Sequence, residues 1–294
     1  MYRLPGFEYY RPLSLEEALV LLDKLEDAMV LAGGTDLVLD LKTGRYKPKS
    51  IVDTSGLKEL KYIVDTGEAL RIGALTTIQE LVDSPIIASK TPLLWEAARE
   101  FAYWQIRNMA TIGGNLCNAS PAADTAPPLL VYEAVVKAVS TSGERYIPVT
   151  EFFLGPRRTA LDKKELLVEV VVPYRNLERH GYAYRKIGRR RGHDISIVSV
   201  AVALRVDDGL ITDTRIALNS VAPVPIRARS IEEFLLGKEP SIDLFREASK
   251  LVDRDISPIS DVRAPAEYRL HVSRILVEEL LLKSYKRAFK GGFE

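Results

Sequence analysis

The sequence has a single cysteine, Cys117, in 294 residues. One thiol excludes an internal disulfide and a cysteine-ligated cluster, so any iron–sulfur centre working with this chain must be carried by another. Histidine is nearly as scarce: His180, His193 and His271 are too widely separated for a histidine-based metal motif. Neither sign of charge dominates. Lys+Arg at 41 against Asp+Glu at 40 leave a formal net charge of +1, which removes any global pull toward nucleic acid or anionic membrane. No apolar run approaches the ~18–20 residues of a membrane span. The opening MYRLPGFEYYRPLS lacks the basic, apolar, small order of a secretory signal, so the expected location is the cytoplasm, without membrane insertion. Asparagine (five) and glutamine (two) are few beside a charged fraction of 28%, a composition that points to a heat-adapted source. The patterns G-x-S-x-G, G-x-x-x-x-G-K-[ST] and G-x-G-x-x-G are all missing, which removes the serine-hydrolase elbow, the P-loop and the ordinary Rossmann fingerprint.

What is present is enough chain for two domains. The first fifty residues alternate helix and strand. Ser14 with Glu17 forms a capping-box pattern before Leu15, Ala18, Leu19 and Leu22; Ala28 to Leu31 reads as a short buried strand; Leu37 to Lys42 reads as a helix capped by Thr35-Asp36; and Ser50 to Asp53 reads as a second strand. This is a βαβ-like unit. Beyond it the spacing predicts a hairpin about Asp65-Thr66-Gly67, a helix capped by Thr77, and another running from Pro92 to about Ala102. An apolar stretch follows from Leu129 to Val139, then a β-branched strand from Glu165 to Pro173. The polar stretch 174–181 is the expected linker. Three strands follow it (Tyr182–Ile187, Ser196–Val206 and Leu210–Asn219), the last two joined by Asp207-Asp208-Gly209. The remainder is helical: Ser230–Leu236, Ser241–Val252 and Pro265 to about Phe289.

Two segments carry paired glycines beside small hydroxyl, amide or acidic side chains: Ala32-Gly33-Gly34-Thr35-Asp36 and Thr111-Ile112-Gly113-Gly114-Asn115. Glycine admits positive φ and leaves no Cβ in the way, so consecutive backbone N–H groups can converge on an anion such as a diphosphate. A following helix N-terminus would add partial positive charge. The second pair runs on through the small-residue stretch Leu116 to Pro128, where Asp124 is open to two readings: a cap for the next helix, or an acceptor for ribose hydroxyls. Cys117 reads as a small buried hydrophobe. The run Gly188 to Asp194, with Arg189, Arg190 and Arg191, reads as a solvated loop; His193 and Asp194 are adjacent in sequence and poorly placed to pair with each other.

The combination A-G-G-T-D with T-I-G-G-N-L-C-N-A-S-P-A-A-D-T resembles the FAD-binding medium subunits of molybdenum hydroxylases: carbon monoxide, aldehyde and xanthine dehydrogenases. Tyr184-Arg185-Lys186 and Asp261 to Arg269 are similar to that family's C-terminal domain, so the resemblance spans nearly the whole chain. It implies an α+β fold, with a two-part FAD-binding domain of the vanillyl-alcohol-oxidase (PCMH) type over 1–175 (subdomains about 1–55 and 56–175). A smaller domain of antiparallel sheet plus helices would fill 176–294. It implies cofactor contacts from Val30, Leu31, Ala32, Gly33, Gly34, Thr35, Asp36 and Leu37 in the first loop. Thr111, Ile112, Gly113, Gly114 and Asn115 in the second would wrap the FAD pyrophosphate with them through backbone amides. Asp124 would lie on the ribose and adenosine side, Phe101 and Leu167 would line the cofactor, and Lys186 would sit near the flavin ring. Ile195 stands where some relatives place a tyrosine over one ring face.

The function implied is an oxidoreductase subunit with no catalytic acid–base set and no metal of its own. It would pass electrons from a small [2Fe–2S] subunit through FAD to an external acceptor, while a large subunit holds the molybdopterin-bound molybdenum. A self-contained FAD-dependent oxidase or reductase is the alternative; no histidine near either glycine loop supports covalent flavin attachment. Nucleic-acid binding through Arg189–Arg191 is a third reading, opposed by the net charge.

Overall fold

A computed structural model describes residues 4–174, 179–190 and 194–290. The N-terminal layer is a three-stranded parallel sheet in the order β1 (Glu8–Tyr10), β3 (Ser50–Asp53), β2 (Ala28–Leu31), with α1 (Leu15–Lys24) and α2 (Leu37–Lys42) as connections. Ser14 caps α1 by accepting from the Glu17 N–H, as the sequence predicts. β1 is an addition to that prediction. It pairs Glu8 with Ser50 along the outer edge of β3.

The second layer is a five-stranded antiparallel sheet, β4 (Ile63–Asp65), β5 (Ala69–Gly73), β10 (Leu166–Pro173), β6 (Val135–Ser140) and β7 (Gly143–Pro148), in that spatial order. The Val-rich β10 sits at its centre because it is buried on both faces. Short helices cover the sheet: α3 (Ile78–Asp83), α4 (Pro85–Lys90), α5 (Pro92–Arg99), α6 (Trp104–Arg107), α7 (Ile112–Cys117) and α8 (Ala126–Val131). Thr77 and Glu80 close a complete capping box on α3. The apolar stretch Leu129 to Val139 is not one element. Glu133 adopts φ +52 between α8 and β6 and turns the chain from helix to strand. After β7 come α9 (Val149–Phe152) and a two-stranded turn, β8 (Phe153–Gly155) and β9 (Arg158–Thr159).

The C-terminal part is a four-stranded antiparallel sheet, β11 (Gly181–Ile187), β12 (Val198–Asp207), β13 (Leu210–Asn219) and β14 (Ile226–Arg227), backed by α10 (Arg229–Leu235), α11 (Ile242–Ser249) and the long α12 (Ala266–Lys290). Asp208 (φ +51) and Gly209 (φ +82) form the tight turn expected between β12 and β13. Of the expected linker, residues 175–178 lie outside the described residues. One face of the β11–β13 sheet packs into the same core as α5 and α8, through Tyr182, Tyr184, Ala201, Ala203 and Ala217. The other face, with Val198, Val200 and Val202, packs on α10 to α12. Glu96 of α5 accepts from the Tyr184 N–H (2.9 Å) and from Arg287 of α12 (3.0 Å), which ties this sheet to the helices over the five-stranded one.

Candidate functional site

β2 delivers the first glycine loop. Thr54, just after β3, donates its N–H and its hydroxyl to the Leu31 carbonyl at 2.8 and 3.1 Å, which fixes where the strand ends. The chain then turns through Ala32 to Asp36 into α2. Gly33 is required by a backbone contact: a Cβ there would lie 1.9 Å from the Met109 carbonyl oxygen. The two glycine loops therefore abut. Among the described residues, no hydrogen bond engages the N–H groups of Gly33, Gly34, Thr35 or Asp36, so this loop offers a run of free donors. Asp36 occupies the N-cap position of α2 without making the cap bond predicted for it; its carboxylate turns to Asn118 instead.

The second loop differs from the expectation. Thr111 caps α7 by accepting from the Gly114 N–H (3.0 Å). Ile112 donates to the Thr76 carbonyl (3.0 Å), Gly113 to the Ala74 carbonyl (2.9 Å) and Asn115 to the Thr111 carbonyl (2.9 Å). These amides are already engaged, so the expected pair of open amide loops is present only in the first. Gly113 serves packing, because a Cβ there would lie 2.8 Å from both Ala74 Cβ and Ala74 O. Gly114 is the member of this pair beside which a Cβ would meet only Thr111 Oγ1, at 2.8 Å, and Ala32 Cβ, at 4.0 Å. The Asn115 side chain accepts from the Thr125 hydroxyl (2.7 Å) and so holds the small-residue stretch in place.

Between the loops runs a groove of about 380 Å³. Val30, Ala32, Gly33, Gly34, Thr35, Asp36, Leu37, Phe101, Thr111, Gly113, Gly114, Asn115 and Leu167 line it. The other four expected site residues are not in its lining. Leu31 ends the strand, and Ile112 is fully buried in the core. Asp124 and Lys186 form a buried ion pair of their own, Nζ to Oδ2 at 2.6 Å, with Lys186 also donating to the Glu100 carbonyl at 3.1 Å, next to Phe101 on the groove wall. Asp124 is thus neither the N-cap of α8, a position held by Thr125, nor a groove residue. Burial pushes the Asp124 carboxyl above its ordinary range while Lys186 counters it, and its Oδ1 is buried with no partner. Burial likewise raises Glu100, which Lys186 offsets.

Sequence reasoning missed Asp40, Tyr46, Asn118 and Arg157, all of which line the groove. It also misread Cys117, which is exposed on the groove wall rather than buried as a small hydrophobe. Positions 114, 117 and 118 fall on one helical face, a signal the spacing does carry. In the arginine run, Arg190 donates to the Tyr103 hydroxyl (3.1 Å), and Asp194 accepts from the Arg189 and Ile195 N–H groups, both at 2.9 Å. Ile195 is exposed. Arg191, Gly192 and His193 lie outside the described residues, so the His193–Asp194 relation does too.

Residues 5–175 match a family model described as the FAD binding domain in molybdopterin dehydrogenase, and residues 182–284 match the CO dehydrogenase flavoprotein C-terminal domain. The chain belongs to the FAD-binding medium subunits of molybdenum hydroxylases. It is 36% identical to the glyceraldehyde dehydrogenase medium chain of Sulfolobus acidocaldarius, over 96% of this chain and 98% of that one. It is 34% identical to the xanthine dehydrogenase FAD-binding subunit of Escherichia coli O157:H7, over 97% of each. Among solved structures, a carbon monoxide dehydrogenase from Hydrogenophaga pseudoflava superposes with a TM-score of 0.93 at 34% identity, covering 97% of this chain and 99% of its counterpart. This medium subunit is therefore an oxidoreductase component that binds FAD. Two of its own features fit that cofactor: the free amides of Gly33 to Asp36 and the absent side chain at Gly114. Among the described residues no group of three or more His, Cys, Asp or Glu side chains is placed to hold a metal, and no helix is long and apolar enough to cross a membrane.

Proposed function

We propose that this chain is the electron-transfer subunit of a heterotrimeric molybdenum hydroxylase, standing between a small [2Fe–2S] subunit and an external acceptor. Substrate hydroxylation would occur on a large molybdenum subunit. The observation that carries this reading is the pairing of a groove between the two glycine loops with a chain that has one cysteine. The chain can hold the flavin and has no cysteine set to ligate a cluster of its own. Its relatives' names agree with a division of labour, since medium chains or subunits of glyceraldehyde, carbon monoxide and nicotine-6-hydroxylating enzymes are similar to it along nearly their whole length.

FAD, when bound, supplies the redox chemistry that couples single-electron to two-electron partners. The protein's part is to bind and orient it. The amides of Gly33 to Asp36 serve the diphosphate, and Thr111 with Asn115 shapes the opposite wall. Phe101, Leu75 and Leu167 make that wall apolar and exclude water. Lys186, held on the Glu100 carbonyl and paired with Asp124, would set the electrostatics near the ring. Asp124 keeps that lysine in place. We place the domain boundary within 174–181, between the last strand of the five-stranded sheet and β11.

Loading tests this reading. Apo chain should take up one FAD per chain, released intact on denaturation. The loaded chain alone should not be bleached by aldehydes, purines or carbon monoxide. Bleaching by an organic donor without partner subunits would make the chain a self-contained flavoenzyme.

A further inference from the structure

Arg157 is the only lysine or arginine lining the groove among the described residues, and it shares that lining with Asp36, Asp40, Asp162 and Glu165. A diphosphate carries two negative charges, so a groove with four carboxylates and one cation is a poor place for it unless that cation is well used. Two of the carboxylates are compensated from outside the groove: Glu165 by a bidentate bond from Arg145 (2.6 and 2.8 Å), and Asp40 in part by Arg45 (3.2 Å). Asp36 has no such outside partner among the described residues. Its carboxyl is raised by burial and lowered first by Arg157, with a smaller contribution from its bond to Asn118.

Arg157 sits where the chain reverses between β8 and β9, in the left-handed region (φ +62). Its N–H donates to the Ala119 carbonyl (2.9 Å), and its guanidinium donates to Asn118 Oδ1 and to Asp40 Oδ2 (3.4 Å). Asn118 and Ala119 end the helix that carries the second glycine pair; Asp36 and Asp40 begin the helix that follows the first. One side chain therefore spans both loops.

We propose that Arg157 is a positioning residue for the FAD diphosphate. It braces the two glycine loops at a fixed separation and offsets part of the charge of Asp36 and Asp40 on the groove wall. The proposal rests on the assignment of this groove to FAD. Its test is the affinity of apo chain for FAD, followed by fluorescence quenching from low to high sodium chloride, for the unaltered protein, Arg157→Met, Arg157→Lys and Arg157→Met/Asp36→Asn. The side chain is a third exposed, so the melting temperature of the apo-protein should change little.

Arg157→Met should weaken FAD by about tenfold or more at low salt, and the gap should narrow as salt screens the uncovered carboxylates. Arg157→Lys should recover most of the loss, and so should the added Asp36→Asn. Arg157→Met within twofold of the unaltered protein at every salt concentration overturns the proposal. So does a lysine variant no better than methionine, which would make the guanidinium's shape and not its charge the cause. An unaltered chain that takes up no FAD would overturn the groove assignment itself.

Discussion

Replacing Asp124 by alanine should destabilise the apo-protein severely, and the reason lies in its partner. The Lys186 side chain is 4% exposed and the Asp124 side chain 10%, and the two meet at 2.6 Å. Removing one member of a buried pair leaves the other charge without compensation, which costs about 3–5 kcal/mol. Lys186 keeps one neutral acceptor, the Glu100 carbonyl, so the lower part of that range applies. For a chain of this length each kcal/mol moves the melting temperature by roughly 2–4 °C, so a fall of about 6–12 °C is expected in a thermal scan of flavin-free protein. The double variant Asp124→Leu/Lys186→Met removes both charges together and should recover most of the loss. Had Asp124 merely capped α8, alanine would cost about 1 kcal/mol and substitution of Lys186 would rescue nothing. An Asp124→Ala melt within 2 °C of the unaltered protein, or a double variant worse than the single, would refute the ion-pair account.

Gly114→Val places a branched side chain where even a Cβ would stand 2.8 Å from the Thr111 hydroxyl that caps α7, so FAD should be lost on purification; a normal flavin-to-protein ratio after acid release would show that the loop was misassigned. Asp213 predicts an acid limb of stability. Burial works to raise its carboxyl, but His180 (3.0 Å) and Arg215 (2.7 Å) outweigh that and hold it at about 2, against an ordinary 3.8. A carboxyl lowered by folding contributes stability above its unfolded value, and that contribution is lost as pH falls toward its folded value. Asp213→Asn should therefore flatten the melting-temperature profile between about pH 4 and pH 2, and an unchanged acid limb would count against the pairing.

Local signals in the sequence were enough for most elements. Ser14 and Thr77 cap the helices they were expected to cap, and Asp208-Gly209 makes the predicted turn, because each depends on residues within a few positions of itself. The edge strand Glu8–Tyr10 left no trace, since three residues are too few to show alternation and its existence depends on β3 forty residues away. The site divides along the same line. That glycine pairs flank the groove was legible; that the second pair's amides are engaged was not, because their acceptors are Ala74 and Thr76 on another turn. Asp124 was visible as an acidic residue in a loop of small residues, while its partner Lys186 stands 62 residues on, in β11 of the C-terminal sheet. Arg157 was hidden for a related reason: only the chain reversal after Gly155 brings it over Asn118 and Asp40.

On the proposed reading this chain holds FAD for partners that hold the metals. Gentle affinity purification from its native host, followed by flavin, iron and molybdenum analysis, is the decisive experiment. Two companion chains are expected, with one FAD, two [2Fe–2S] centres and one molybdenum per trimer. A lone, yellow, metal-free chain would contradict the electron-transfer role, and a colourless chain unable to take up FAD would contradict the cofactor assignment as well.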